Sequence, residues 1–273
     1  MSLTSATLAH RRWLIGFENG TVRQITKAYQ KRIRALLGRL EAIERQLSRG
    51  EPLTPAQEAQ AARDRLRLRG AYRRIRADVA ATLQTRMEIA AQKEISISTR
   101  NLTAGLPTGV KARAPAVDIR ELILNPTQGQ TWAARLDASM IPVVQNMDAA
   151  LLVAIDRGAS MEEAARLVAV GIDAVGKHQR AINRIVRTEI QRVANEAAQA
   201  TYRENRDVIK SVRYLATLDD RTCPVCRPLH RVTYRLNEAG PHDGVKLPQH
   251  PNCRCFYAPV TYSVAEILQR RRS

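Results

Sequence analysis

All four cysteines of the chain fall in one stretch, as two close pairs, and this spacing constrains the fold more than any other feature. Cys223 and Cys226 are separated by Pro224 and Val225. Cys253 and Cys255 are separated by Arg254 alone, with His250 a short step ahead of them. Three of the five histidines lie in the same stretch, between Asp219 and Cys255. A C-x2-C turn can aim two sulfurs at one ion, and two such turns brought together supply the four ligands of tetrahedral zinc. The spacing predicts Cys223, Cys226, Cys253 and Cys255 as a closed structural zinc site, with His250 or His230 as a substitute fourth ligand. Four thiolates on Zn²⁺ leave two net negative charges, which Arg221, Arg227 and Arg254 are placed to offset. Two other states stay open: disulfides cross-paired between the turns, and free thiols buried as small apolar side chains. The first residues lack the apolar run of a secretory signal, and a cytosolic chain keeps its thiols reduced.

The run from Thr217 to Cys226 (TLDDRTCPVC), followed by His250 to Cys255 (HPNCRC), resembles the C-terminal signature of the phage Mu F-like head morphogenesis family. Arg187, Thr188 and Glu189 match that family's Arg-Thr-Glu element, and the resemblance covers roughly Trp132 to Val260. One departure is local: the family carries a Leu-x-Gly turn soon after C-x2-C, where this chain reads Leu229, His230, Arg231. The resemblance implies a minor head protein of tailed phages, located in the virion at the portal vertex or capsid interior, and in the host cytoplasm during assembly. The implied partners are portal protein, major capsid or scaffold protein, and packaged DNA, with several copies per head and no chemistry of its own.

Charge agrees with an anionic partner. The formal net charge is +18, and residues 1–100 carry 20 Lys and Arg against 9 Asp and Glu. Phosphate neutralisation of this kind is electrostatic and blind to base sequence. No apolar stretch approaches the length of a membrane span.

The apolar pattern predicts a mainly α chain. Val22, Ile25, Tyr29, Ile33, Leu36, Leu40, Ile43 and Leu47 step by three and four through Thr21–Ser48, one face of an amphipathic helix. Thr54, Pro55 and Gln57 read as a capping box opening a second helix to about Ile95, with Ala62, Leu66, Tyr72, Ile75, Val79, Leu83, Met87 and Ala90 as its apolar stripe. Together these form a long basic helical hairpin arm over residues 1–100. Its outer face carries Arg63, Arg65, Arg67, Arg69, Arg73, Arg74 and Arg76, the candidate contacts to nucleic acid or portal. Residues 101–117, rich in Gly and Pro, read as a linker. A helical body, 118–206, follows, with Pro142 expected to kink one helix and two helices at Ser160–Gly171 and Val175–Asn205.

The period then changes. Val208–Thr217, Val232–Leu236 and Cys255–Val260 read as short strands, giving a small α+β module stapled by the cysteine cluster over residues 207–262, and a basic tail over 263–273. Arg187, Glu189, Asp219, Asp220, Arg221 and Thr222 are expected to hold the module together structurally. Arg187 and Glu189, two apart on a helix, face different neighbours; Asp220 and Thr222 would cap the first cysteine turn, and Arg221 would pair with Glu189. The alternative function is a zinc-module nucleic-acid-binding regulator, although no basic recognition helix is evident between the cysteine turns. An enzyme is not expected: His242, Asp243 and His250 invite comparison with a His-Asn-His nuclease, but no nucleophile–base pair or phosphate loop is visible.

Overall fold

Apolar residues at three-to-four spacing and few breakers make helices the dominant element of the computed structural model. It describes residues 3–126, 129–156, 158–236 and 244–270, so His242, Asp243, Arg271 and Arg272 lie outside the described residues. In order, the elements are α1 (Leu3–Ser48), α2 (Pro55–Ala104), α3 (Ile119–Leu124), α4 (Trp132–Ala154), α5 (Met161–Glu204), β1 (Ile209–Leu215), β2 (Thr233–Arg235), β3 (Phe256–Thr261) and α6 (Val264–Arg270). Among the described residues no helix is long and apolar enough to cross a membrane.

The chain packs as two units, neither continuous in sequence. One comprises Met1–Gly20, Gln84–Asn125 and Val186–Ser273; the other comprises Thr21–Leu83 and Pro126–Ile185. These units cut across the sequential segments 1–100, 101–117 and 118–206, because α1, α2 and α5 are each long enough to serve both. The segment expected as a linker belongs wholly to the first unit. Val110 is buried in that unit's core, and Asn205 clamps the Arg113 backbone in both directions, accepting from its N–H at 2.7 Å and donating to its carbonyl at 2.8 Å.

The second unit is four helices in a closed ring of contacts. All eight residues of the α1 stripe are buried, and the α2 capping box forms as read, with Thr54 N donating to Gln57 Oε1 at 2.8 Å and Gln57 N to Thr54 Oγ1 at 3.3 Å. Arg39 pairs with Asp64 between α1 and α2. Arg65 with Asp148 (3.0 Å) and Arg76 with Asp137 (2.8 Å) join α2 to α4. Thr26 donates to Asn183 at 3.2 Å between α1 and α5. Leu66 corrects the expected α2 stripe: it is 85 % exposed, and Ala61, Asp64 and Leu68 are buried instead. At about 100° per residue, a position six residues from Tyr72 sits roughly 120° off the face that Tyr72 buries.

Gly171 is a second correction. It does not stop a helix: α5 runs unbroken through it. A Cβ at this position would lie 2.7 Å from Ala150 Cβ, so the missing side chain serves a close approach to α4 and not a turn. Pro142 sits inside α4, which runs through it as one helix.

At the centre of this unit is a buried polar chain. Tyr29 Oη lies 3.1 Å from His178 Nδ1 and 3.4 Å from Tyr72 Oη, and Tyr72 donates to Met147 Sδ at 3.1 Å. Burial pushes the His178 imidazolium down to about 4 from the usual 6.5, because the charged form is the one that loses hydration. The folded state therefore favours neutral His178. Its contribution to stability is complete above about pH 6.5 and is lost as pH falls from there toward 4, by up to about 3 kcal/mol. Melting temperature is expected to fall over that window, and His178→Gln to flatten the fall; an equal slope in both proteins would assign the acid sensitivity to other groups.

The first unit carries a three-stranded antiparallel sheet in the order β2-β1-β3, with Tyr214 opposite Tyr257 and Val212 opposite Tyr234. The expected basic tail instead begins with a helix. Ser263 N donates to Glu266 Oε2 at 2.8 Å and Glu266 N to Ser263 Oγ at 3.3 Å, a capping box that opens α6 and buries Ile267 in the core.

Candidate metal centre

The first cysteine turn leaves β1 through Thr217 and is organised by Asp219. Arg221 N donates to Asp219 Oδ1 at 3.0 Å, Asp219 N donates to Thr222 Oγ1 at 2.9 Å, and the Thr222 hydroxyl donates to Thr217 O. Arg254, on the second turn, grips Asp219 with both nitrogens, at 2.5 and 2.6 Å. That guanidinium holds the Asp219 carboxyl down to about 2. The capping carboxylate is thus Asp219, while Asp220 is exposed. Arg254, expected to offset thiolate charge, also staples the two turns to each other.

The second turn, His250–Cys255, is shaped by Asn252, whose φ of 61° lies in the left-handed region that Asn tolerates better than most side chains. Asn252 N donates to Thr188 Oγ1 at 3.0 Å. The carbonyl of Arg254 accepts from Thr217 Oγ1, and that of Cys255 from Asn195 Nδ2.

Together the turns assemble five donor atoms. Cys223, Cys226 and His250 form one group and Cys226, Cys253 and Cys255 another, with the donor atoms of each group within 4.8 Å of one another. His250 Nε2 lies 3.1 Å from Cys223 Sγ and 3.3 Å from Cys226 Sγ. His250 Nδ1 is 2.9 Å from Pro251 O. Since a carbonyl only accepts, Nδ1 carries the proton and Nε2 turns a lone pair toward the sulfurs, the orientation a ligating imidazole needs. His230 is elsewhere: its Nδ1 accepts from Ala216 N at 3.2 Å. A cavity of about 20 Å³ opens beside Cys223, Cys226, His250 and Cys255. No disulfide joins any two of the four cysteines in the structure.

The donor set fits zinc. Zn–S bonds of about 2.3 Å in a tetrahedron place sulfurs roughly 3.8 Å apart, inside the spacing observed. Within the second turn a hydrogen bond from Cys255, working against burial, holds Cys253 down to about 5, while the same contact and then burial push Cys255 up. Burial raises Cys226 to about 11. Three packed sulfurs cannot all ionise without a cation among them.

Arg187, Thr188 and Glu189 each reach a different neighbour. Arg187 Nε lies 3.4 Å from Glu18 on α1, Thr188 holds the second cysteine turn, and Glu189 pairs at 2.7 Å with Arg192, neither side chain having any exposure. Glu189 is therefore not the partner expected for Arg221. Arg192 also donates to Leu122 O at 2.6 Å and Ile123 O at 2.8 Å, capping α3.

Two participants were not among the expected site residues. Arg11, buried near the start of α1, donates to Arg254 O at 3.0 Å and Cys255 O at 3.1 Å and also bonds Gln191. Gln191 in turn donates to Glu18 at 2.9 Å. Tyr214, in the same core cluster as Cys226, Cys253 and Cys255, accepts from Gln249 Nε2 at 3.2 Å through its hydroxyl; only its inward place in the strand alternation marked it beforehand.

Arg231 occupies the position where a Leu-x-Gly turn has its glycine, and its φ is 71°. This left-handed conformation costs an L-residue about 1–2 kcal/mol. Arg231→Gly is expected to raise stability by up to about 1 kcal/mol, since the looser unfolded chain returns part of the gain. A lower midpoint in a denaturant titration would show that the arginine side chain is worth more than the strain.

The candidate arginines of α2 differ in their surroundings. Arg65 and Arg76 are engaged by Asp148 and Asp137, and Arg63 donates to Gln60 at 2.8 Å. Arg67, Arg69, Arg73 and Arg74 are exposed.

Residues 145–258 match the model of the family described as Phage Mu protein F like protein, the family that the two cysteine turns resemble. The matched segment contains Arg187, Thr188, Glu189, Asp219 and all five donors. No curated protein and no solved structure matches the chain.

Proposed function

We propose that this chain, Mu F-like over residues 145–258, is a minor head protein of a tailed phage. In this reading it acts in head morphogenesis at the portal vertex or capsid interior. The observation that carries the proposal is the coincidence of the family match with one built structure: two cysteine turns clamped by Asp219 and Arg254 and seated on Thr188 of the Arg-Thr-Glu element. The role is mechanical. A zinc ion held by Cys226, Cys253, Cys255 and either Cys223 or His250 would lock the turns, giving a small module the rigidity its few core residues cannot supply. The basic surface would meet packaged DNA or an acidic face of portal, capsid or scaffold protein without reading base sequence.

The regulator reading finds no support. Between the cysteine turns the described residues form turns and the short strand β2, with no helix to enter a major groove. Of the residues behind the nuclease comparison, His250 faces sulfur, and His242 and Asp243 lie outside the described residues.

Quantitative mass spectrometry of purified DNA-filled particles and of empty precursors tests the function. The chain is expected in the particle at a few to some tens of copies. Presence in precursors only would make it an assembly factor that leaves, and absence from both would end the head-protein reading.

A further inference from the structure

Between Thr21 and Leu40, α1 carries Arg23, Lys27, Lys31, Arg32, Arg34 and Arg39 and no acidic residue. Arg32 and Arg39 are occupied by Asp78 and Asp64 of α2. The other four are exposed, and among the described residues none of them forms an ion pair. Their steps of four, four and three place them within an arc of about 80°, centred roughly 160° from the buried Ile25–Tyr29–Ile33–Leu36 stripe. They point directly away from the core. At about 1.5 Å per residue the row runs roughly 16 Å.

The α2 arginines contrast with this. On the same wheel Arg67 and Arg74 lie on one side of α2 and Arg69 and Arg73 on another, with Leu66 exposed among them, so they present no single row. Number of cations does not separate the two helices; alignment does.

We infer that the Arg23–Lys27–Lys31–Arg34 face of α1 is a track for the phosphate backbone of double-stranded DNA. This deepens the DNA contact proposed above and rests on it. Over about 16 Å of duplex axis one strand presents some five phosphates at about 3.4 Å each, and the row faces those on the near side of the duplex. The face bears no aromatic ring, and without stacking platforms single strands gain little there. Long flexible Lys and Arg side chains contact phosphate as charges, so base sequence is not read.

The test uses the full-length protein and fluorescence anisotropy on two labelled duplexes of unrelated sequence, titrated at several salt concentrations. Wild type is expected to bind both alike. Replacing Arg23, Lys27, Lys31 and Arg34 together with glutamine should weaken binding roughly a hundredfold at about 100 mM salt and flatten the log–log salt slope by about 3–4. Replacing Arg67, Arg69, Arg73 and Arg74 in the same way should change that slope by less than about one, with circular dichroism confirming that both variants stay helical. Equal loss from the two variants, or an unaltered slope for the α1 variant, overturns the assignment while leaving DNA binding intact. If wild type binds poly-glutamate more tightly than duplex, the face belongs to an acidic protein and the inference falls. If wild type binds no duplex even at low salt, the DNA contact under the proposed function falls with it, while the particle composition still decides the head-protein reading.

Discussion

Replacing Cys226 with serine is expected to abolish zinc binding, whereas Cys223→Ala or His250→Ala should each leave a weaker site. Cys226 is the sulfur common to both donor groups, while Cys223 and His250 belong only to the more exposed one. Losing either of those leaves four donors, enough for a tetrahedron. Losing Cys226 removes the link between the two turns. The effect on folding should be large but local, since structural zinc contributes apparent free energies of about 10–16 kcal/mol in zinc-finger peptides. Chelation of the wild type, and the Cys226→Ser protein as purified, should both lose hydrogen-exchange protection across residues 217–261 while α1 and α5 in the four-helix unit keep theirs. Metal content by mass spectrometry and the rate of transfer to a colorimetric chelator give the ranking. One zinc per chain at wild-type affinity in Cys226→Ser would sink the shared-ligand assignment. Intact masses showing two disulfides in freshly prepared wild type would sink zinc itself.

Legibility followed the range of the interaction. The donor cluster could be read because metal geometry ties ligand choice to local spacing, but choosing between His250 and His230 required the fold: both sit in cysteine-flanking loops, and only one turns its Nε2 to sulfur. The α1 stripe was visible because its period is unbroken. The α2 stripe lost phase at Leu66, where dense Arg residues leave few apolar positions to fix it. Gly171 carries the same local signature whether it ends a helix or admits a neighbour, and Ala150 decides between them. The α6 capping box has a local signature too, but the basic residues after it drew the segment toward a solvated tail. Arg11 was not legible at all. Its partners are the carbonyls of Arg254 and Cys255, more than two hundred residues away, and carbonyls leave no trace in a sequence.

Arg192→Met should be the most damaging single change outside the cysteine cluster. Arg192 is the largest fully buried side chain, and Glu189 beside it has no exposure either. Two buried opposite charges roughly offset their own desolvation, so the pair adds little net stability, but removing one partner strands the other. In Arg192→Met, Glu189 loses its cation and the carbonyls of Leu122 and Ile123 lose their donors. The expected cost is about 3–5 kcal/mol, or a melting temperature lower by about 10 °C for a chain of this size. Glu189→Gln should cost less, because Glu196 still lies 2.8 Å from Arg192. The double variant Glu189→Leu/Arg192→Met should recover much of the loss, since neither charge is then left alone. A cycle of these proteins separates two roles for the Arg-Thr-Glu element. If the double variant regains stability and still holds the Thr188–Asn252 contact, with zinc released at the wild-type rate, Glu189 serves only to dock α3, and the cysteine turns rest on Thr188. If stability returns but zinc is released faster, the buried ion pair also sets the position of the α5 turn on which the metal centre is built. An Arg192→Met protein that melts within about 1 kcal/mol of wild type would mean that Glu189 has found another partner, and that the two charges do not depend on each other for burial.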